Sequence, residues 1–215
     1  HIYPKRLLKK HLANVRGVIC VSAKNKEESL ELGLASQDIM TVIPNAINNK
    51  IFFPMDKDFA REKLGYKKDD FIIAYTGAFS HRKGVMRLSE AVKSIENTKV
   101  LYIGSGELKP DEKNALFIGR LPHSQIPLYL NAADVFVLPT LAEGCSNSII
   151  EAMACGLPII SSNQSFNDDI LFDDNSIRID PMNIGEIRKA ILLLRDNPEL
   201  REKMSKASLK YAESL

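Results

Sequence analysis

The sequence has no tryptophan, three cysteines and almost no excess of one charge, and each lack removes a class of protein. Cys20, Cys145 and Cys155 are odd in number, form no CxxC and have no histidine partner close by, so neither a disulfide framework nor a zinc site is indicated. A reducing, cytoplasmic setting fits such usage. A formal charge of +2 is too small for the field of the whole chain to attract nucleic acid, so any basic site must be local. Long apolar runs are missing as well. The stretches 132–141 and 149–160 are broken by Asp134, Pro139, Glu151 and Gly156, short of the about 18 apolar residues that a membrane helix needs. No cleavable signal opens the chain, and its start at His1 is read as that of a fragment.

What is there is the profile of a globular protein: 215 residues, 45% hydrophobic and 26% charged, enough for one good core or one and a half domains. Short aliphatic and β-branched runs alternate with stretches of helical period. Strands are expected at 17–21, 40–43, 71–75, 100–103, 115–118, 134–138, 157–161 and 177–179. Helices are expected at 25–32, 58–63, 84–95, 124–131, 147–154, 184–194 and 198–211. Such alternation predicts an α/β fold with a doubly wound parallel sheet. Between Asn45 and Asp70 the residues Asn, Lys, Asp and Pro crowd together. The expected division is therefore a first unit at 1–46, a linker at 47–70 and the main domain at 71–215. Lys5, Arg6, Lys9 and Lys10 are read as a solvated helix face, with a membrane-surface or acceptor-side face as the alternative.

The segment from Asp134 to Ile160 carries most of the chemistry, and it reads as strand, loop, helix, glycine stop, strand. Ser146 or Asn147 can cap the helix, Gly156 can end it in a left-handed conformation and Pro158 prevents its continuation. Glu143 and Gly144 lie in the loop at the carboxyl end of the strand, where open α/β sheets bind ligands. The helix start offers unpaired N–H groups and a positive dipole end to phosphates or hydroxyls, and Gly144 permits close approach to the backbone. Along the helix Ile149, Ile150, Met153 and Ala154 share an arc from which Glu151 points away. A plain solvated glutamate is the bland reading of Glu151.

Glu143 and Glu151, separated by seven residues and followed by Ala152-Met-Ala-Cys-Gly-Leu-Pro158, resemble the E-x7-E signature of the retaining GT-B glycosyltransferases of the glycosyl transferases group 1 family. The resemblance covers residue 16 to the end. It implies a Rossmann-like donor domain carrying a remnant of the N-terminal, acceptor-binding domain. It gives Glu143 the hydroxyls of the donor sugar, Glu151 the nucleotide ribose, and the backbone N–H groups of Gly144, Cys145, Ser146 and Asn147 a place near sugar or phosphates. A second segment, Ala74 to Leu88, agrees: a strand runs into Gly77, and Lys83-Gly84 opens an amphipathic helix. Lys83 is similar to the family's phosphate-binding lysine, with Arg82 as helper. Many relatives carry an arginine directly after the strand-end glycine, where this chain has Ala78. Val42 to Asn48 resembles the crossing into the donor domain, with Ala46 where glycine is usual. Leu101 to Leu108 and Leu116 to Pro122 resemble the next two strand ends, whose loops wall the base pocket.

Weaker signals are set aside. Asp56-Lys-Asp58 is a nominal D-x-D metal tag, but its place before a helix suits a cap better. Gly104-x-Gly106 lacks the third glycine of a dinucleotide fingerprint. The cysteines lack an activating partner and read as packing residues, and His81 as an exposed loop residue. The resemblance implies transfer of a sugar from a nucleoside diphosphate sugar with retention, with Glu143 and Lys83 as catalytic groups and no cofactor or metal. The acceptor, a glycan or lipid-linked molecule met through the missing N-terminal half, suggests polysaccharide assembly in the cytoplasm or at the inner membrane face, and the isolated fragment is expected to be inactive. Two rivals stand: a non-catalytic nucleotide-sugar-binding or scaffolding domain, motivated by Ala78, and an epimerase or phosphorylase of the same fold.

Overall fold

In the computed structural model, residues 5–215 are described. The chain starts with α1 (Lys5–Leu12) and β1 (Val18–Cys20), continues through α2 (Ala23–Glu31), and reaches β2 (Met40–Val42). β1 and β2 pair in parallel as a small sheet of their own. In α1, Arg6, Lys9 and Lys10 are exposed while Leu8 and Leu12 are half-buried, the arrangement of a solvated basic face. The first four residues of the expected 1–46 unit lie outside the described residues.

Six strands build the main sheet: β3 (Phe71–Thr76), β4 (Thr98–Ile103), β5 (Ala115–Gly119), β6 (Val135–Leu138), β7 (Ile159–Ser162) and β8 (Ser176–Ile179). All pair in parallel in the order β5-β4-β3-β6-β7-β8, the doubly wound α/β architecture that the alternation of elements predicts. All six residues of β3 are buried, as are all four of β6 and of β7. An unbroken apolar run can bury every residue only if helices cover both faces of the sheet. Those helices are α3 (Lys57–Leu64), α4 (Val85–Val92), α5 (Ile126–Ala132), α6 (Asn147–Ala154), α7 (Ile184–Asp196) and α8 (Pro198–Ala212). α4 packs against α7, α3 against α5 and α6 against α8. The chain winds outward from β3 to β5, then returns to β6 on the other side of β3, so the strand order reverses between β3 and β6. That reversal opens a crevice at the carboxyl ends of these two strands.

The stretch 47–70 is not a linker. Phe52 belongs to the core, Ala60 is fully buried, α3 packs on α5, and the buried Arg61 pairs with Asp134 at 2.7 Å. The polar composition belongs to helix ends instead of to a mobile tether. Asp56 caps α3 by accepting from the Phe59 N–H at 2.8 Å, and Gly65 closes it with φ 71. The capping reading of Asp56 therefore holds. Among the described residues no helix is long and apolar enough to cross a membrane.

Candidate functional site at the strand reversal

The loop after β3 and the loop after β6 form the two banks of the crevice. Gly77 follows β3 and Gly84 precedes α4 with φ 76, a left-handed conformation in which a Cβ would stand 2.2 Å from the Pro139 carbonyl oxygen. Only glycine lets these banks come so close. The loops also join through the Leu141 N–H, which donates to the Arg82 carbonyl at 2.8 Å. A cleft of about 610 Å³ lies between them.

The cleft brings together Gly77, Lys83, Glu143, Cys145, Ser146 and Asn147 of the expected set, with Glu151 on its wall. The ammonium of Lys83 donates to Oε1 of Glu143 at 2.6 Å, and the Thr140 hydroxyl donates to the same oxygen at 2.7 Å. Oε2 has no protein donor among the described residues and is not buried, so it can take a hydroxyl. Glu143 is thus held in place: its side chain is 8% exposed, that of Lys83 15%.

Ser146 occupies the cap position of α6 without a side-chain capping bond. Its hydroxyl pairs with that of Ser148 at 3.1 Å instead. The first N–H groups of α6 therefore face the cleft without competition from a side-chain cap, the condition for receiving an anion. Gly156 ends the helix at φ 77, as the sequence suggests.

Glu151 lies further along α6 with its side chain 15% exposed, and its Oε1 meets Nε2 of His123 at 3.0 Å. Burial raises its pKa above the usual glutamate value, and the bond to His123 opposes the rise. It is no freely solvated glutamate. His123 in turn stands edge-on to Phe52 at 5.0 Å between ring centroids.

Two expected residues stand elsewhere. Arg82 does not line the cleft: its guanidinium donates to the Ala142 carbonyl at 2.6 Å and stays 3.9 Å from Glu143. Gly144, between the cleft residues Glu143 and Cys145, turns the side that a Cβ would occupy toward the small N-terminal unit, where it would meet Asn25 Oδ1 at 3.2 Å and Val21 Cγ2 at 3.3 Å. The same unit reaches the site through Asn45, which donates to Asn147 Oδ1 at 2.7 Å and to the Cys145 carbonyl at 3.3 Å. Sequence reasoning missed Asn45, Thr140, His123 and Arg120, of which Arg120 lines the cleft. Only Arg120 carried a signal, a basic group beside the strand-end Gly119 in the segment expected to wall the base pocket.

Burial raises the thiol pKa of Cys145, and that of Cys155 to about 12, so both are packing residues, not primed nucleophiles. Among the described residues no group of three or more His, Cys, Asp or Glu side chains could hold a metal ion.

The profile of the family described as Glycosyl transferases group 1 matches residues 56–211. The UDP-Gal:alpha-D-GlcNAc-diphosphoundecaprenol alpha-1,3-galactosyltransferase of Escherichia coli is 33% identical over 169 residues, 70% of this chain and 43% of the relative. The capsular polysaccharide biosynthesis glycosyltransferase CapM of Staphylococcus aureus is 30% identical over 217 residues, 92% of this chain and 57% of the relative. The chain thus spans about half the length of the curated relatives it matches. Among solved structures, Anabaena HepE in complex with UDP and glucose is similar at a TM-score of 0.84 and 17% identity, over 99% of this chain and 63% of that one, a likeness of fold.

Proposed function

We propose, for a chain that belongs to the glycosyl transferases group 1 family, a function as the nucleotide-sugar-binding half of a retaining glycosyltransferase. The observation that carries this reading is the Lys83–Glu143 pair at the strand reversal, beside the uncapped start of α6 and with one carboxylate oxygen open. A cation, a row of N–H donors and a hydroxyl acceptor then face one cleft, the groups that a diphosphate joined to a sugar requires.

In this reading Lys83 and the α6 start hold the diphosphate and stabilise the charge that grows on it as the sugar leaves. Lys83 remains shared with Glu143, whose Oε2 accepts a sugar hydroxyl. Glu151 accepts from the ribose. Retention follows from attack on the face that the diphosphate leaves, assisted by the leaving phosphate, and no side chain in the cleft is needed as a covalent nucleophile. The acceptor, a glycan or lipid-linked molecule, docks on the half of the enzyme that residues 1–46 begin to outline. The exposed Ile19 of β1, and Ile43 directly after β2, support that division, since apolar residues of a sheet and its edge rarely face water unpartnered. Peripheral contact with the cytoplasmic face of a membrane belongs to the same proposal.

The capsular relative is named for polysaccharide assembly and the galactosyltransferase for a UDP sugar, which makes UDP the first donor base to try. The test is a thermal-shift screen of UDP, GDP, ADP and their sugars. A ligand at about 100 times its Kd adds about 2.7 kcal/mol to folding stability. No stabilisation by any of them would overturn the reading. Stabilisation that EDTA abolishes would show that a metal, not Lys83 and α6 alone, carries the phosphates.

A further inference from the structure

We propose that Arg87 is a positioning residue for the diphosphate, an inference that rests on reading the cleft as a nucleotide-sugar site. Arg87 lies in the first turn of α4, is 8% exposed, and has no carboxylate within ion-pair distance among the described residues. Its Nη1 donates to the His81 carbonyl at 2.9 Å and its Nη2 to the Pro139 carbonyl at 2.7 Å. Nε is buried without a partner.

These two carbonyls belong to opposite banks. His81 lies two residues before Lys83, and Pro139 directly before Thr140, whose hydroxyl holds Glu143. One rigid, planar guanidinium therefore sets the distance between the phosphate-binding lysine and the sugar-binding carboxylate. Gly84 completes the staple, since a Cβ there would stand 2.8 Å from Nη2.

A buried guanidinium satisfied only by carbonyls is a costly way to fasten two loops. An uncharged donor would do as well for packing. What the arginine adds is a fixed positive charge behind the mouth of the cleft, in surroundings that screen it little. Arg87 does not itself line the cleft, so its charge acts on a diphosphate from behind the two loops it joins; a nucleoside carries no charge for it to act on.

Calorimetric titration of the chain and its variants with UDP, GDP and ADP, each against its own nucleoside, tests this. Arg87→Met, of similar length and without charge, is expected to lose about tenfold or more in diphosphate affinity while nucleoside affinity stays within about twofold. Arg87→Lys keeps the charge but loses the two-armed geometry and should recover part of the diphosphate affinity. A purely structural role would lower the melting temperature without changing the ratio of the two affinities. Equal losses for both ligands, or no loss, overturn the proposal. If Arg87→Met does not fold, Arg87→Lys decides by the same ratio: a loss confined to the diphosphate supports the proposal, and an unchanged ratio overturns it. Lys83→Ala separates this from the reading beneath it. If Lys83→Ala does not discriminate between diphosphate and nucleoside, the cleft is not the phosphate site; if it does and Arg87→Met does not, only the role of Arg87 falls.

Discussion

Glu143 and Glu151 carry the same side chain in unlike surroundings, and that difference divides their work. At Glu143, Lys83 and Thr140 both bond Oε1, so removing the charge leaves the loop in place but loosens the cation. If Glu143 holds the donor sugar as proposed, Glu143→Gln should keep nucleoside diphosphate binding and lower kcat, because contacts to the sugar would strengthen as charge develops. Titration with the bare diphosphate and turnover with the sugar donor read the two effects separately. Lys83→Ala should cost diphosphate binding about 1.5 to 3 kcal/mol and leave the nucleoside unaffected. At Glu151, burial raises the pKa, which gives a pH signature. A carboxyl whose folded pKa is raised stabilises the fold fully below its unfolded value, and that contribution is lost as pH rises through the folded value. Glu151→Gln, which does not titrate, should therefore match the wild-type melting temperature near pH 4 and exceed it at neutral pH. A wild-type advantage that grows with pH would contradict the burial argument.

Among the elements, β6 is tied at both ends by different chemistry. Its carboxyl end opens into the cleft. At its start, Asp134 accepts from Arg61 at 2.7 Å, from the Ile72 N–H at 2.8 Å and from Lys57 at 2.7 Å. Arg61 is 3% exposed, so removing Asp134 leaves an uncompensated buried cation. Asp134→Ala should cost about 3 to 5 kcal/mol in urea unfolding. Lys57→Ala should cost under about 1 kcal/mol, because Lys57 is 46% exposed and water screens its charge. Similar costs for both would mean that the buried pair does not anchor α3 to the sheet.

For the molecule as a whole, the packing of 47–70 decides where the sheet can be separated from the rest. Phe52, Ala60 and Arg61 are buried against it. A chain of 47–215 should unfold cooperatively with a melting temperature near that of the whole chain, whereas 71–215 should lose that cooperativity. Circular dichroism with heating compares them, and a stable 71–215 would restore the linker reading. Deleting 1–46 also removes Asn45 from Asn147, so diphosphate binding should weaken even though the sheet survives.

The sheet, the helices and the ends of α6 were legible in the sequence by itself, because unbroken aliphatic runs, helical period and a terminal glycine act over a few residues and mean the same in any surroundings. The cleft residues Lys83, Glu143 and Glu151 were legible through the resemblance that their spacing carries. The tertiary structure alone decided the rest. Which oxygen of Glu143 is occupied, why Gly84 must lack a Cβ, and where Arg82, Arg87 and Asn45 reach depend on groups far apart in the chain, such as Arg87 and Pro139, 52 positions apart, and Asn45 and Asn147, 102 apart. Composition misread 47–70 for the same reason: polar residues that cap a helix and those that solvate a tether look alike until the packing partner is known.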